Sequence, residues 1–174
     1  MNRLLAVAAA LGMGSSSLVG RAPHLFSVAS RAASEASAGS VADTIIALER
    51  SALERWGRGD PQGYVETFAP EITYFDPFTE KRIDGIDAMK AALAPITGKV
   101  RIDRYEMLNP RVQHAGDVAV LSFNLVSHAR NPDGSPRLVR WNSTEVYRRF
   151  GGKWRIVHNH WSFTKPELKQ AGSP

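Results

Sequence analysis

Two runs of alternating residues near the end of the chain constrain its fold more than any other feature. The runs, residues 141–148 and 154–162, meet at Phe150-Gly151-Gly152-Lys153. Glycine supplies the positive backbone angles of a tight turn, so the pattern predicts a β-hairpin. Side chains alternate between the two faces of a strand. One face of the first strand therefore carries Trp141, Ser143, Glu145 and Tyr147. The same period in the second strand groups Trp154, Ile156, His158 and His160. If the two faces coincide, one concave surface holds an acid, two imidazoles and indole rings.

The length and composition of the chain favour a single domain. The chain has 174 residues, of which 43% are hydrophobic, and this is enough for one well-filled core. It contains no cysteine, which excludes disulfides, thiol nucleophiles and cysteine-ligated metal centres. The net charge of +5 is spread along the chain without a long basic stripe, so no nucleic-acid partner is expected.

Residues 1–40 are predicted to be a targeting segment and a disordered linker. Arg3 precedes an apolar run, Leu4 to Met13. This run is shorter than the ~20 residues that a membrane-spanning helix needs, so no stable membrane span is expected. Export to the periplasm or the medium is the first interpretation. The arginines and serines of residues 1–34, with no acidic residue, leave mitochondrial import as the alternative. Residues 14–40 are rich in Ser, Ala and Gly, which is typical of a linker.

Residues 41–165 are predicted to form the folded domain, and residues 166–174 a flexible tail. Apolar spacing predicts a helix over residues 41–56, a second after Asp60-Pro61 and a third over residues 86–96. A short strand over residues 71–77 and an extended piece over residues 81–85 separate the last two. Long strands follow over residues 100–114, 118–129, 137–150 and 154–163. This order predicts an α+β domain in which helices cover one face of a curved antiparallel sheet and leave a conical cavity.

Several motifs resemble the nuclear transport factor 2-like superfamily, and within it the calcium/calmodulin-dependent protein kinase II association domain and bacterial SnoaL-like and ketosteroid isomerase-like proteins. They are Leu108-Asn109-Pro110-Arg111-Val112, Asp133-Gly134-Ser135 and the pattern from Thr144 through Gly151, Lys153-Trp154 and Val157-His158 to Ser162. The resemblance covers residues 41–165. It implies a cone-shaped, cystatin-like roll, with a curved antiparallel sheet wrapped around three N-terminal helices. It also implies a homodimer or larger ring built through the open face of the sheet.

A second resemblance concerns a proton-transfer site. Tyr74-Phe75-Asp76-Pro77 with Gly85-Ile86 is similar to the strand of steroid isomerases that carries the catalytic base. On that mapping Asp76 is the base, and Glu145 takes the place of the acid that donates a hydrogen bond to the enolate. The place of the oxyanion tyrosine is Ala52 here, so Tyr64 or Tyr74 would have to substitute. His158-Asn159-His160-Trp161-Ser162 also partly matches the ending of iota-class carbonic anhydrases.

These resemblances define the candidate residues. Asp76, Glu145 and His158 are the predicted catalytic residues. The residues predicted to contact a substrate are Trp56, Tyr64, Tyr74, Trp141 and His160. No metal or cofactor is expected, although His158 and His160 with a third ligand leave a metal site as an alternative. Structural roles also stay open: Asp76 as the cap of a turn, Glu145 as an ion-pair partner of an arginine, and the histidines as hydrogen-bonded wall residues.

The predicted function is a small-molecule pocket, used by a cofactor-independent isomerase, cyclase or lyase that transfers protons in an apolar cavity. A carboxylate in such a cavity has its charged form disfavoured, which suits proton transfer. One alternative is a non-catalytic oligomerisation or ligand-binding module like the kinase association domain. The other is a carbonic anhydrase of the iota class. Kinship of fold does not choose among them, because one fold hosts many activities.

Overall fold

The computed structural model describes the backbone of residues 24–165 and the side chains of residues 41–165. This part of the chain contains α1 (His24–Gly57), α2 (Gln62–Val65), β1 (Phe68–Phe75), β2 (Ile83–Asp84), α3 (Ile86–Leu93), a 3-10 turn (Ala94–Ile96), β3 (Arg104–Ala115), β4 (Val118–Arg130), β5 (Pro136–Phe150) and β6 (Lys153–Phe163). The predicted targeting run and the predicted tail lie outside the described residues.

Helix α1 begins earlier than the sequence pattern predicts. Its first residue is His24, not Val41, so it includes the described part of the segment expected to be a disordered linker. The expectation of disorder is wrong there, because alanine-rich sequence has a high helix propensity even without an apolar stripe. The helix ends at Gly57, and Gly59 follows with φ of 83°. A side chain would be strained in that conformation.

The sheet has six strands in the order β2-β1-β6-β5-β4-β3. Strands β3 to β6 form the predicted antiparallel meander, and the predicted α+β class is confirmed. One pairing departs from the antiparallel expectation, since β1 runs parallel to β6. Parallel neighbours need a long connection, and the chain between β1 and β6 contains four other strands and α3.

The helices cover one face of the sheet, which we call the inner face, and leave the outer face open. Along β4 the buried residues are Ala119, Leu121, Phe123, Leu125 and Ser127, every second position. Ile45 of α1, Ile72 of β1 and Ile156 of β6 are fully buried against this face. Over residues 24–165 no helix has the combined length and apolar character needed to cross a membrane.

A β-bulge in β6 separates residues that the simple alternation groups together. Tyr147 pairs with Ile156, but Val146 pairs with His158, so Val157 is an extra residue. An extra residue reverses which face the following side chains occupy. Trp154 and Ile156 therefore share the inner face with Glu145, whereas His158 and His160 lie on the outer face. The predicted concave surface with two imidazoles is wrong for this reason.

Candidate functional site

A cavity of about 660 Å³ lies between the helices and the inner face of the sheet. Its walls are mainly apolar and aromatic, from α1, α3 and the strands β1 and β4 to β6. Four of the five predicted substrate-contacting residues line it, namely Trp56, Tyr64, Tyr74 and Trp141. Asp76 lines it as well. The cavity is also lined by four exposed cationic side chains, Lys99, Arg101, Arg130 and Arg137.

Asp76 is both a turn cap and a cavity residue. Its Oδ1 accepts hydrogen bonds from the backbone N–H of Phe78 at 2.9 Å and of Thr79 at 3.0 Å. The Thr79 hydroxyl donates to the same oxygen at 3.1 Å. The Tyr74 phenol also hydrogen-bonds to Asp76, and burial, reinforced by this carboxylate, raises the pKa of Tyr74. The turn-cap role is therefore observed, and it places the carboxylate at the cavity wall.

Aromatic rings form one side of the cavity near its opening. The rings of Trp141 and Phe163 lie 4.7 Å apart, and Phe78 stands edge-on to Trp141 at 6.1 Å. Trp161 is perpendicular to Trp141 at 6.2 Å. Phe78 is 70% exposed although it lines the cavity. Perpendicular and offset rings give an apolar wall that suits flat molecules.

A buried polar network lies beneath the cavity, centred on two carboxyl groups. Glu49 of α1 and Glu145 of β5 are both fully buried and hydrogen-bond to each other. Tyr64 Oη donates to Glu49 Oε1 at 2.6 Å. Tyr147 Oη donates to Glu145 Oε2 at 2.8 Å, and Asn159 Nδ2 donates to Glu145 Oε1 at 3.0 Å. Two carboxyl groups in contact cannot both ionise without a large electrostatic cost, so this pair shares a proton.

The surroundings assign that proton to Glu145. Burial raises the pKa of Glu145 well above its usual range, and the neighbouring Glu49 raises it further. Burial also raises the pKa of Glu49, but hydrogen bonds from Glu145, Tyr64 and Tyr147 oppose this shift. We therefore describe Glu145 as the protonated partner, which donates to Glu49. Its two oxygens remain acceptors for Tyr147 and Asn159.

Burial and Glu49 thus favour the protonated form of Glu145, but its hydrogen bonds do not point to the cavity as the isomerase resemblance implies. All of its contacts are with protein groups, and Asn159, not Glu145, contributes to the cavity wall. The alternative of an ion pair with an arginine is not among the contacts of Glu145, which are Glu49, Tyr147 and Asn159. The structure does not bring Glu145 to the same surface as Asp76.

The two histidines lie on the outer face, away from the cavity. His158 Nδ1 is 2.8 Å from Thr73 Oγ1, and its ring contacts Phe75 edge-on. Partial burial lowers the pKa of His158, and the nearby His160 lowers it further. His160 is exposed beside Phe75. The roles predicted for His158 in catalysis and His160 in substrate contact are wrong for this cavity, because the bulge turns both outward.

Neither the metal alternative nor the carbonic anhydrase motif is assembled on the inner face. Within residues 41–165 no group of three or more His, Asp or Glu side chains is placed to hold a metal ion. Ser162, the serine of the carbonic anhydrase resemblance, pairs with Asn142 and shares the outer face with His160. Its hydroxyl accepts from Asn142 Nδ2 at 3.3 Å.

Sequence reasoning missed two residues of this site, Glu49 and Asn159. Glu49 lies four residues after Ile45 and four before Leu53, on the buried stripe of α1, and a charged residue there is a signal of a buried polar contact. The alternation that groups His158 with His160 on the concave face places Asn159 on the opposite face of β6. Ile156 and Trp161 are both apolar and both face inward, although an unbroken strand would place an even-numbered and an odd-numbered residue on opposite faces. This break in the alternation could have revealed the bulge.

The comparisons with known proteins agree with this architecture. A candidate ketosteroid isomerase from Parabacteroides distasonis ATCC 8503 is 36% identical, with a TM-score of 0.62 over 71% of this chain and 87% of that one. The association domain of C. elegans CaMKII is 21% identical, with a TM-score of 0.63 over 71% of this chain and 96% of that one. An NTF2-like protein of unknown function from Pseudomonas putida KT2440 is 24% identical, with a TM-score of 0.62 over 71% of this chain and 87% of that one.

The sequence relationship is to one part of a longer protein. Calcium/calmodulin-dependent protein kinase type II subunit delta of Oryctolagus cuniculus is 26% identical over 119 residues, which are 67% of this chain and 22% of the kinase. The chain thus spans about a fifth of that relative's length. The family described as calcium/calmodulin dependent protein kinase II association domain matches residues 42–165. This match covers the helices, the sheet and the cavity, and the chain belongs to the calcium/calmodulin dependent protein kinase II association domain family.

Proposed function

We propose that this protein is a self-associating domain that binds a small, largely apolar organic molecule in its cavity. The observation that carries the proposal is the cavity itself, about 660 Å³ between the helices and the inner face. Ligand sites in proteins are clefts of this size with apolar walls and a few polar groups. Here the walls are aromatic and aliphatic, and Asp76, Asn159 and the exposed cations supply the polar groups.

The experiment compares retained ligand in two matched variants. Ala92 and Ala91 are neighbours on α3, but only Ala92 lines the cavity. We expect native mass spectrometry of the protein purified from its own host to show a bound small molecule. Ala92→Trp should remove it, because the indole occupies cavity space, and Ala91→Trp should retain it. Equal loss or equal retention in the two variants would contradict binding in this cavity.

Self-association is proposed through the outer face of the sheet. Strands β4 and β5 place Val120, Val126 and Val146 there, and all three are only partly buried. The CaMKII structures to which this chain is similar include one described as a hub, from S. rosetta. Val120 and Val146 are direct neighbours across the two strands, and polar residues separate them from Val126. Apolar side chains within a polar surround are typical of a protein interface.

Light scattering tests the interface directly. Val146→Arg places a charge beside Val120 on the outer face, whereas Glu80→Arg adds positive charge in an exposed loop. We expect the wild type and Glu80→Arg to share one oligomeric mass, and Val146→Arg to have a lower one. A monomeric wild type, or an unchanged mass in Val146→Arg, would contradict the proposal.

Proton transfer is a second candidate function, favoured by the position of Asp76 at the cavity wall. A positioned general base contributes roughly 10²–10⁴-fold in rate. A suitable probe is 2-tetralone, whose acidic α-hydrogens exchange with deuterium oxide at a rate that NMR can follow. If Asp76 acts as a base, Asp76→Asn slows the catalysed exchange, while Asp84→Asn, on β2, does not. No acceleration by the wild type would exclude this candidate for the probe.

A further inference from the structure

Some polar groups of the cavity wall have a hydrogen-bond partner within the protein, and one does not. Three hydrogen-bond donors of this wall already have a protein partner. Tyr64 donates to Glu49, Tyr74 bonds Asp76, and Trp141 Nε1 donates to Ser127 Oγ at 2.9 Å. Two buried side-chain oxygens of the described residues have no hydrogen-bond partner, Asn159 Oδ1 and Ser143 Oγ, and of these two residues only Asn159 lines the cavity. Asn159 is fully buried from solvent and lines the cavity.

The buried network fixes which end of the Asn159 amide is left without a partner. The one proton of Glu145 is directed to Glu49, so Glu145 has no proton left to give to another acceptor. Tyr147 donates to Glu145 Oε2, and Oε1 can only accept from Asn159. Asn159 Nδ2 donates this hydrogen bond at 3.0 Å, which leaves Oδ1 as the free end. The reverse orientation would set an amide oxygen against a carboxyl oxygen that has no proton to give it.

An unpaired buried carbonyl is costly, and a ligand that supplies the missing donor relieves that cost. We propose that the cavity takes an apolar molecule whose inner end carries a hydroxyl or an amine, and that Asn159 Oδ1 receives this donor. The inference rests on the proposed function and refines it, since it names the ligand class. It also has a consequence for chemistry. A compound with only an acceptor at its inner end leaves Asn159 Oδ1 unsatisfied, so it is disfavoured relative to one that carries a donor there.

Three neutral naphthalenes test the proposal on the wild-type protein. They are 2-naphthol, which carries a donor, 2-methoxynaphthalene, which carries only an acceptor, and 2-methylnaphthalene, which carries neither. Equilibrium dialysis gives their dissociation constants. We expect 2-naphthol to bind about tenfold tighter than either of the others, the effect of one hydrogen bond to an otherwise unsatisfied group. Apolar burial alone predicts the opposite order, because 2-naphthol is the most polar of the three.

The variant Asn159→Leu removes the acceptor and keeps an apolar wall. It should lose most of its affinity for 2-naphthol and keep that for 2-methylnaphthalene. Asn124→Leu is the matched control, since Asn124 lies on β4 and faces outward, bonded to Asn142 at 2.8 Å. It should keep the wild-type order. If Asn159→Leu fails to fold, as judged by circular dichroism, the ranking on the wild type still decides the question.

The other possible results of the binding experiments distinguish failure of the inference from failure of the proposed function. Equal binding of the three compounds, or tighter binding of 2-methoxynaphthalene, would overturn the donor inference while leaving the cavity as a ligand site. Retention of the 2-naphthol preference in Asn159→Leu would overturn the role of Asn159. Binding of none of the three up to their solubility would count against the proposed function, and the inference would fall with it.

Discussion

Replacing Glu145 with glutamine tests the shared proton through the pH dependence of stability. An acid whose pKa is raised by folding binds its proton more tightly in the native state than in the unfolded chain. As pH rises above the unfolded value of 4.5, the native state therefore loses stability relative to the unfolded state. The native state continues to lose stability until the pH passes the raised pKa of Glu145 in the folded protein. Glutamine has the same shape and no proton to lose, so Glu145→Gln lacks the contribution of this group to the pH dependence.

The magnitude follows from one proton. A single group held protonated only in the native state changes the free energy of unfolding by up to about 1.4 kcal/mol per pH unit. Glu145 is fully buried, so solvent screening does not reduce the effect. The stability of Glu145→Gln minus that of the wild type should therefore rise steadily with pH above 4.5. Subtracting the two free energies of unfolding cancels the contributions that both proteins share. One of these is the contribution of His158, whose pKa is lowered in the folded protein.

The assay is urea unfolding at one fixed protein concentration, since self-association makes apparent stability depend on concentration. Profiles between about pH 5 and pH 9 are compared for the wild type, Glu145→Gln and Glu54→Gln. Glu54 is an exposed residue of the same helix as Glu49, and its variant should parallel the wild type. A Glu145→Gln profile that also parallels the wild type would refute the shared buried proton.

Three further substitutions test the packing around the site, each measured by urea unfolding near neutral pH. Tyr64→Phe removes the donor to Glu49 Oε1 and should cost about 1–3 kcal/mol, whereas Tyr105→Phe, whose hydroxyl makes a longer bond of 3.3 Å to a backbone oxygen, should cost less. Gly59→Ala should cost about 1–3 kcal/mol, because φ is 83° and the new Cβ would lie 3.0 Å from a backbone oxygen. Ile45→Ala, in the core, should cost about 2–5 kcal/mol.

The sequence predicted the architecture well because its signals are local. Helical spacing located α1 to α3, and turns at Gly116, Gly134 and Gly151-Gly152 separated the long strands. Each of these glycines has a positive φ, as the turn patterns require. The start of α1 was missed because a helix without an apolar stripe gives no periodic signal. The parallel pairing of β1 with β6 depends on contacts between distant segments, which spacing does not report.

The site was predicted only in part, and one residue explains most of the difference. Alternation assumes an unbroken strand, and the extra Val157 reverses it within β6. Asp76, Tyr74 and Trp141 precede the bulge and line the cavity. His158 and His160 follow it and face outward. Glu145 was placed on the correct face, but its partner Glu49 comes from a helix, and no strand pattern links the two.

The four tryptophans of the chain provide the most direct test of the central claim, that the cavity on the inner face binds an apolar molecule. Trp56, Trp141 and Trp161 line the cavity, whereas Trp154 lies outside it beneath the Arg149 guanidinium, 5.3 Å from its ring centre. Their indole N–H signals can be followed by NMR while 2-naphthol is added, with assignments from single Trp→Phe variants. Binding in the cavity predicts that the three cavity signals shift together and saturate while that of Trp154 stays in place. A shift confined to Trp154, or no shift of any indole at the solubility limit, would contradict the claim.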